Sequence, residues 1–416
     1  MIDLKKVEYN TATLSNGLRI IHLPSSSPVV YCGFGINAGT RNELDGEEGV
    51  AHFCEHTTFK GTERRRAWHI INGLETFGGD INAFTNKEDT VYYSAILKDH
   101  TAKAVDLLSD IVFHSLYPQA EIDKEIEVIC DEIESYNDSP AELIYDIFEN
   151  MLFEGHHLGH NVLGEASKLR KYTTETAKAF TSRYYKPENA VFFAYGDVDF
   201  RRLVNLLKRA TRDLPGSQPV MGLTSTSSTL PPYRMQKRVI TKGTHQAHVM
   251  IGNRAYSVHD DRRMALYLLN NILGGPAMNA RLNMSLRERN GLVYTVESSM
   301  TSYSDTGVWC VYFGCDPHDV EKCERLVTKE LQRVIDKPLT TTQLNAAKRQ
   351  IKGQIAVACD NRESFAIDFG RCFLHYGREK DITSLFKRID ALTASQIQKV
   401  AQEIFDPELL TRLVIK

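Results

Sequence analysis

No stretch of this chain approaches the roughly 20 consecutive apolar residues that a membrane span needs. Its first residues, MIDLKKVEYNTATLSNG, carry Asp3 and Glu8 and no apolar run, which excludes a secretory signal and argues against an Arg- and Ser-rich transit peptide. A soluble, cytoplasmic protein is the expectation. An excess of either charge is also missing: the formal net charge is -3, so no global field draws the chain to nucleic acid or to an anionic membrane. CxxC pairs are absent. The eight cysteines, Cys32, Cys54, Cys130, Cys310, Cys315, Cys323, Cys359 and Cys372, lie in mostly apolar surroundings and read as reduced core residues, not as a disulfide framework.

What the chain does have is length and self-similarity. Its 416 residues, 42% apolar, exceed one ordinary core and point to two domains of roughly 200 residues. The clearest shift in composition is PGSQPVMGLTSTSSTLPP, Pro215 to Pro232, which has almost no charge and cannot supply a packed face. It reads as a linker between domains at 1–214 and 233–416. The halves echo each other at an offset of roughly 220 residues. TVYYSAIL followed by KDHTAKAVDLLSDIV is answered by GVWCVYFGC followed by DPHDVEKCERLVTKEL, and YKPENAVFFAYG by FDPELLTRLVIK. Strands cluster and helices follow in long runs, with Asn16-Gly17 as a hairpin turn, so the fold class expected is α+β: two similar, duplicated domains of mostly antiparallel sheet with helices packed on it.

The stretch GVAHFCEHTTFKGT, Gly49 to Thr62, puts two histidines four residues apart with a glutamate before the second. No proline interrupts Glu47 to Lys60, and the apolar spacing is helical. At about 100° per residue, His52 and His56 project about 40° apart and Glu55 about 60° from His52. All three share one face. Imidazole nitrogens at about 2.0 to 2.1 Å suit Zn²⁺, and a glutamate one position away reaches a metal-bound water more easily than the metal. Such a string also arises by chance, so a third ligand from elsewhere is required. In AEIDKEIEVICDEIESYNDSP, Glu125 and Glu132 stand seven residues apart, about 20° off one helical face. One carboxylate can ligate there and the other can orient.

HFCEH with the F-K-G-T that follows, and a glutamate 76 residues after the second histidine with another seven before it, resembles the M16 family of pitrilysin, insulin-degrading enzyme and the mitochondrial processing peptidase. The motif is the reversed zincin string. The resemblance implies one Zn²⁺ per chain on His52, His56 and Glu132, with Glu55 as general base on a zinc-bound water and Glu125 supporting a ligand from behind. It implies that Asn82 and Ala83, in GGDINAFTNKEDTVYYSAIL, lie on an edge strand to which a peptide backbone adds. It implies that Arg287 and Tyr294, in RLNMSLRERNGLVYTVESS, hold substrate and stabilise the developing oxyanion.

The function so implied is a zinc metalloendopeptidase acting on peptides or unfolded segments in the enclosed chamber of a clamshell, as a homodimer or as a heterodimer with a related subunit. The alternative is a non-catalytic structural or partner subunit of such a complex. The second half has no His-x-x-Glu-His string and shows residues such as Lys348 and Ile355 where the repeat answers to Glu125 and Glu132, so no second zinc is expected. His156, His157 and His160 fall in a Gly-containing loop without a carboxylate pattern, and Cys54 points off the ligand face towards the core.

Overall fold

The structure, a computed structural model, describes residues 8–216 and 229–416; most of the expected 215–232 linker lies outside the described residues. Among the described residues, eleven strands form two sheets. The first holds β1 (Asn10–Thr13), β2 (Arg19–Pro24), β3 (Val29–Ile36), β4 (Asp80–Thr85), β5 (Thr90–Leu97) and β6 (Ala190–Gly196) in the order β1-β2-β6-β3-β5-β4. The second holds β7 (Lys237–Ile240), β8 (Ala247–Ala255), β9 (Val293–Ser302), β10 (Gly307–Cys315) and β11 (Thr411–Ile415) in the order β7-β11-β8-β10-β9.

Removing β1 from the first sheet leaves the same pattern as the second. In each, the first and last strands of the repeat run parallel, β2 with β6 and β7 with β11. Every other pairing is antiparallel. The sequence echoes fall on β5 and β10 and on β6 and β11, so the duplication is a duplication of topology. Asn16-Gly17 closes the β1–β2 hairpin, with Leu14 N donating to Leu18 O at 2.8 Å.

Why these strands carry so few polar residues is clear from β10. Val308, Cys310 and Tyr312 pack on one face of the second sheet with Ile144, Phe148, Met151 and Leu152 of the helix Pro140–Leu152. Trp309, Val311 and Phe313 pack on the other, among Leu266, Leu269, Val327 and Val400. A strand covered on both faces reads as a continuous apolar run. The first sheet is likewise covered, by Thr101–His114 and by Arg362–Tyr376.

These helices correct the expected boundaries. Two compact units form, one from the described parts of Met1–Glu134, His160–Ser228 and Ala358–Asp381, the other from those of Ser135–Gly159, Thr229–Val357 and Ile382–Lys416. A single cut at 215–232 therefore misplaces residues 135–159 and 358–381. Helix packing is the reason. Pro140–Leu152, begun by a proline at its first turn after the Asp138-Ser139 break, buries its apolar side on the second sheet. Arg362–Tyr376 comes close enough to the first sheet that a Cβ on Gly370 would lie 2.6 Å from the Phe193 ring, so only glycine fits there.

None of the eight cysteines is in a disulfide, and six of them are buried. No helix among the described residues is long and apolar enough to cross a membrane.

Candidate metal centre

The helix expected over 47–60 forms as Val50–Thr58 and starts at Gly49, whose φ of 87° is the left-handed region that favours glycine. Its first turn is held by a carboxylate that the motif does not contain. Glu43, fully buried, accepts from Gly49 N at 3.1 Å and from Ala51 N at 3.0 Å. A carboxylate there satisfies orphan amides and faces the positive end of the helix. Cys54 points away from the ligand face and is fully buried, with its Sγ 3.8 Å from Ala177 O.

The helix Gln119–Asn137 buries Ile122, Ile126, Ile129, Cys130 and Ile133 and presents Glu125 and Glu132 to the histidines. His56 Nε2 lies 3.4 Å and His52 Nε2 3.9 Å from Glu132 Oε2. A tetrahedral ion with bonds of about 2.0 to 2.1 Å separates neighbouring donors by about 3.3 Å, so two imidazoles and one carboxylate of this spacing fit Zn²⁺. Among the described residues this is the sole group of three or more His, Cys, Asp or Glu side chains whose donor atoms converge. His156 is instead buried and accepts from Leu158 N at 3.1 Å.

Glu125 engages the far side of one ligand. Its Oε1 lies 3.0 Å from His56 Nδ1, and its Oε2 lies 2.5 Å from Lys60 Nζ. A carboxylate on Nδ1 fixes the tautomer that leaves Nε2 for a metal. Lys60 was not singled out by sequence, although it follows His56 by four residues, the spacing of one helical face. His52 has no such support: its Nδ1 is buried without a hydrogen bond among the described residues, and packing orients its ring.

The electrostatics separate the two histidines. Burial, then the neighbouring His56, pushes the pKa of His52 down to about 4, so it is a neutral donor near pH 7. Burial also opposes charge on His56, but hydrogen bonds to Glu125 and Glu132 override it and raise its pKa to about 9. The carboxylates that retain a proton there would equally retain a cation, and the two compete for Nε2. For Glu132 the hydrogen bond to His56 leads in lowering its carboxyl. Burial works to raise Glu125, and its bonds to His56 and Lys60 more than offset that.

Glu55 lies on the same turn, 8% exposed. Burial raises its carboxyl above the ordinary value, against a lowering hydrogen bond from Thr85, whose Oγ1 donates to Oε2 at 2.6 Å. Thr85 ends β4, the edge strand of its sheet among the described residues, on which Asn82 is exposed and uses its Oδ1 to accept from Ala83 N at 2.8 Å. Thr85, too, lay in a stretch read as strand without being picked out.

Arg287 and Tyr294 belong to the second unit. Arg287 sits in a π-helical segment, Asn283–Glu288, and Tyr294 follows at the start of β9. The guanidinium lies 5.5 Å from the centre of the Tyr294 ring, which is 80% exposed. Lys348, at the repeat position of a carboxylate, is buried and donates to Asp390 O and Leu392 O at 2.8 and 2.6 Å.

Two imidazoles four apart on a helix and a carboxylate from a second helix converge with a spacing that suits a metal ion, beside a buried glutamate and the edge strand β4, on a duplicated α+β scaffold. Residues 20–166 match the family Insulinase (Peptidase family M16), and residues 171–351 match Peptidase M16 inactive domain. An uncharacterized zinc protease of Bacillus subtilis is 30% identical over 404 residues, 97% of this chain and 97% of that protein. One of Streptomyces coelicolor is 30% identical over 399 residues, 94% of this chain and 86% of that protein. The chain belongs to the M16 peptidase family. In fold it is similar to a protease from Helicobacter pylori, with a TM-score of 0.89 at 22% identity over 99% of this chain and 100% of that one. It is also similar to a peptidase M16 inactive domain from Pseudomonas fluorescens, at 0.88 and 18% over 98% of each.

Proposed function

We propose that this protein is a zinc-dependent endopeptidase of extended peptides, with His52, His56 and Glu132 as ligands to one Zn²⁺ and Glu55 as general base. The observation that carries the reading is the convergence of the three donors with Glu55 on the same helical turn, beside the edge strand β4.

When bound, zinc supplies Lewis-acid polarisation of the scissile carbonyl and acidifies water near neutral pH. Glu55 accepts the proton of the attacking water at a carboxylate oxygen and passes one to the leaving amine, a task for which a carboxyl raised by burial is suited. Glu125, held by Lys60, keeps the His56 ring turned with Nε2 towards the ligand set. The peptide adds to β4 at Asn82 and Ala83, which places a backbone carbonyl by strand register. Arg287 and Tyr294 hold substrate and donate to the oxygen that gains charge, for which a guanidinium fork and a phenol are suitable. The chain works as a homodimer or with a related subunit, outside membranes and in the cytoplasm.

A peptide-library digest by the purified protein, read by mass spectrometry beside Glu55→Gln, tests this. Wild type should cut and the variant should lose about 100-fold or more of the rate while keeping its zinc, because the amide preserves shape and removes the proton acceptor. Turnover by the variant near the wild-type rate would sink the base assignment.

A further inference from the structure

The hydrogen bond between Thr85 and Glu55 ties β4 to the ligand helix, and its setting makes it more than the satisfaction of a buried carboxyl. The distance of 2.6 Å falls in the range of charge-assisted O–H···O⁻ bonds. Thr85 is the one residue bonded to the Glu55 carboxylate among the described residues, which leaves Oε1 for a substrate-side proton. Period two along β4 puts Ala83 and Thr85 on the same face, that of the helix Val50–Thr58.

Thr85 is also fixed from behind. The turn that follows it closes with Asn86 N donating to Asp89 O at 2.8 Å. Thr40 N and Arg41 N donate to Asn86 O and Lys87 O at 3.2 and 2.8 Å. Asp89, fully buried, accepts from Asn86 Nδ2 at 2.7 Å and from Arg371 Nε at 2.8 Å, with His375 Nε2 at 2.6 Å. These bonds tie the end of β4 to its own sheet, and the bond to Glu55 directs the hydroxyl it carries.

We propose that Thr85 is a positioning residue that sets the direction of the Glu55 carboxylate from the same strand that registers the peptide. The proposal rests on the reading of Glu55 as base and of β4 as the substrate edge. Its physical content is that base and scissile bond are referred to one rigid element, so an error in strand register and an error in base direction are not independent.

The test compares Thr85→Val, which keeps the shape and removes the donor, with Thr85→Ser, which keeps the donor, beside wild type and Glu55→Gln. The Val variant should lose about 10-fold or more in kcat, in line with losses at residues that support a reacting group, with KM within about twofold and zinc content unchanged. The Ser variant should recover most of the loss. If Val fails to fold, judged by its thermal transition, Thr85→Ala takes its place. A kcat within about twofold of wild type for the donor-less variant, or no recovery with Ser, overturns the role of Thr85 while Glu55→Gln remains inactive. Retained turnover in Glu55→Gln overturns the base reading and the Thr85 proposal with it.

Discussion

Glu125 and Glu132 sit one above the other on the same helix, yet their chemistry differs because of what each faces. Glu132 is half-exposed and points a bare oxygen at two Nε2 atoms, whereas Glu125 is buried between His56 and a lysine. A ligand and a supporter should therefore respond differently to the same isosteric change. Glu132→Gln should lose zinc outright in a competition with a chelator. Glu125→Gln should weaken affinity by about 10- to 100-fold, the usual effect of removing the partner of a ligating histidine. Equal and wild-type affinities for both variants would rule out the ligand assignment. Sequence spacing named both glutamates, and the difference in role came from the family resemblance. Lys60 and Thr85 lay inside quoted motifs and went unnamed, since a lysine after a helix and a threonine in a strand look ordinary until a partner is seen.

At the level of the element, the helix Arg362–Tyr376 is the least foreseeable piece. It is encoded far from the first sheet and still supplies Arg371 and His375 to Asp89 in the β4–β5 turn. Burial acts to raise the Asp89 carboxyl, and the bonds to His375 and Arg371 hold it well below the usual carboxylate range. A depressed folded-state pKa adds stability in full above the unfolded value of about 3.9 and loses it as pH falls below that value. Asp89→Asn should thus cost about 1–3 kcal/mol in denaturant unfolding at pH 7, and the gap to wild type should narrow below about pH 4. A gap independent of pH would mean that the ion pair is not what holds the turn. The β4–β5 hairpin itself was legible, because alternating β-formers between glycines and a polar turn leave few options. That β4 lies at the sheet edge is a matter of strand order, which local pattern does not contain.

For the molecule as a whole, duplication gives two sheets of one topology and, among the described residues, one convergent donor set. Elemental analysis should find one zinc per chain. Lys348 already uses its ammonium on two backbone carbonyls at the equivalent place in the repeat, so two zincs per chain would contradict the assignment. Pairing along β4 at about 3.3 Å per residue needs a free, extended segment. Unstructured peptides of about 10 to 40 residues should be cut, and a stable globular protein, whose strands are already paired, should not. Cleavage of both at similar rates would remove strand addition as the mode of binding.

The sequence by itself determined the local facts: the helical face carrying His52, Glu55 and His56, the second face carrying Glu125 and Glu132, the α+β class and the repeat. These depend on period, composition and spacing, which are written along the chain. The tertiary structure decided which helix covers which sheet, so that 135–159 and 358–381 fall on the far side of any single linker cut. It also decided that Glu43 caps the ligand helix, that Lys60 holds Glu125, and that Thr85 and Glu55 meet. Those partnerships come from the crossing of elements distant in sequence, and apolar burial sets that crossing without leaving a mark in either segment alone.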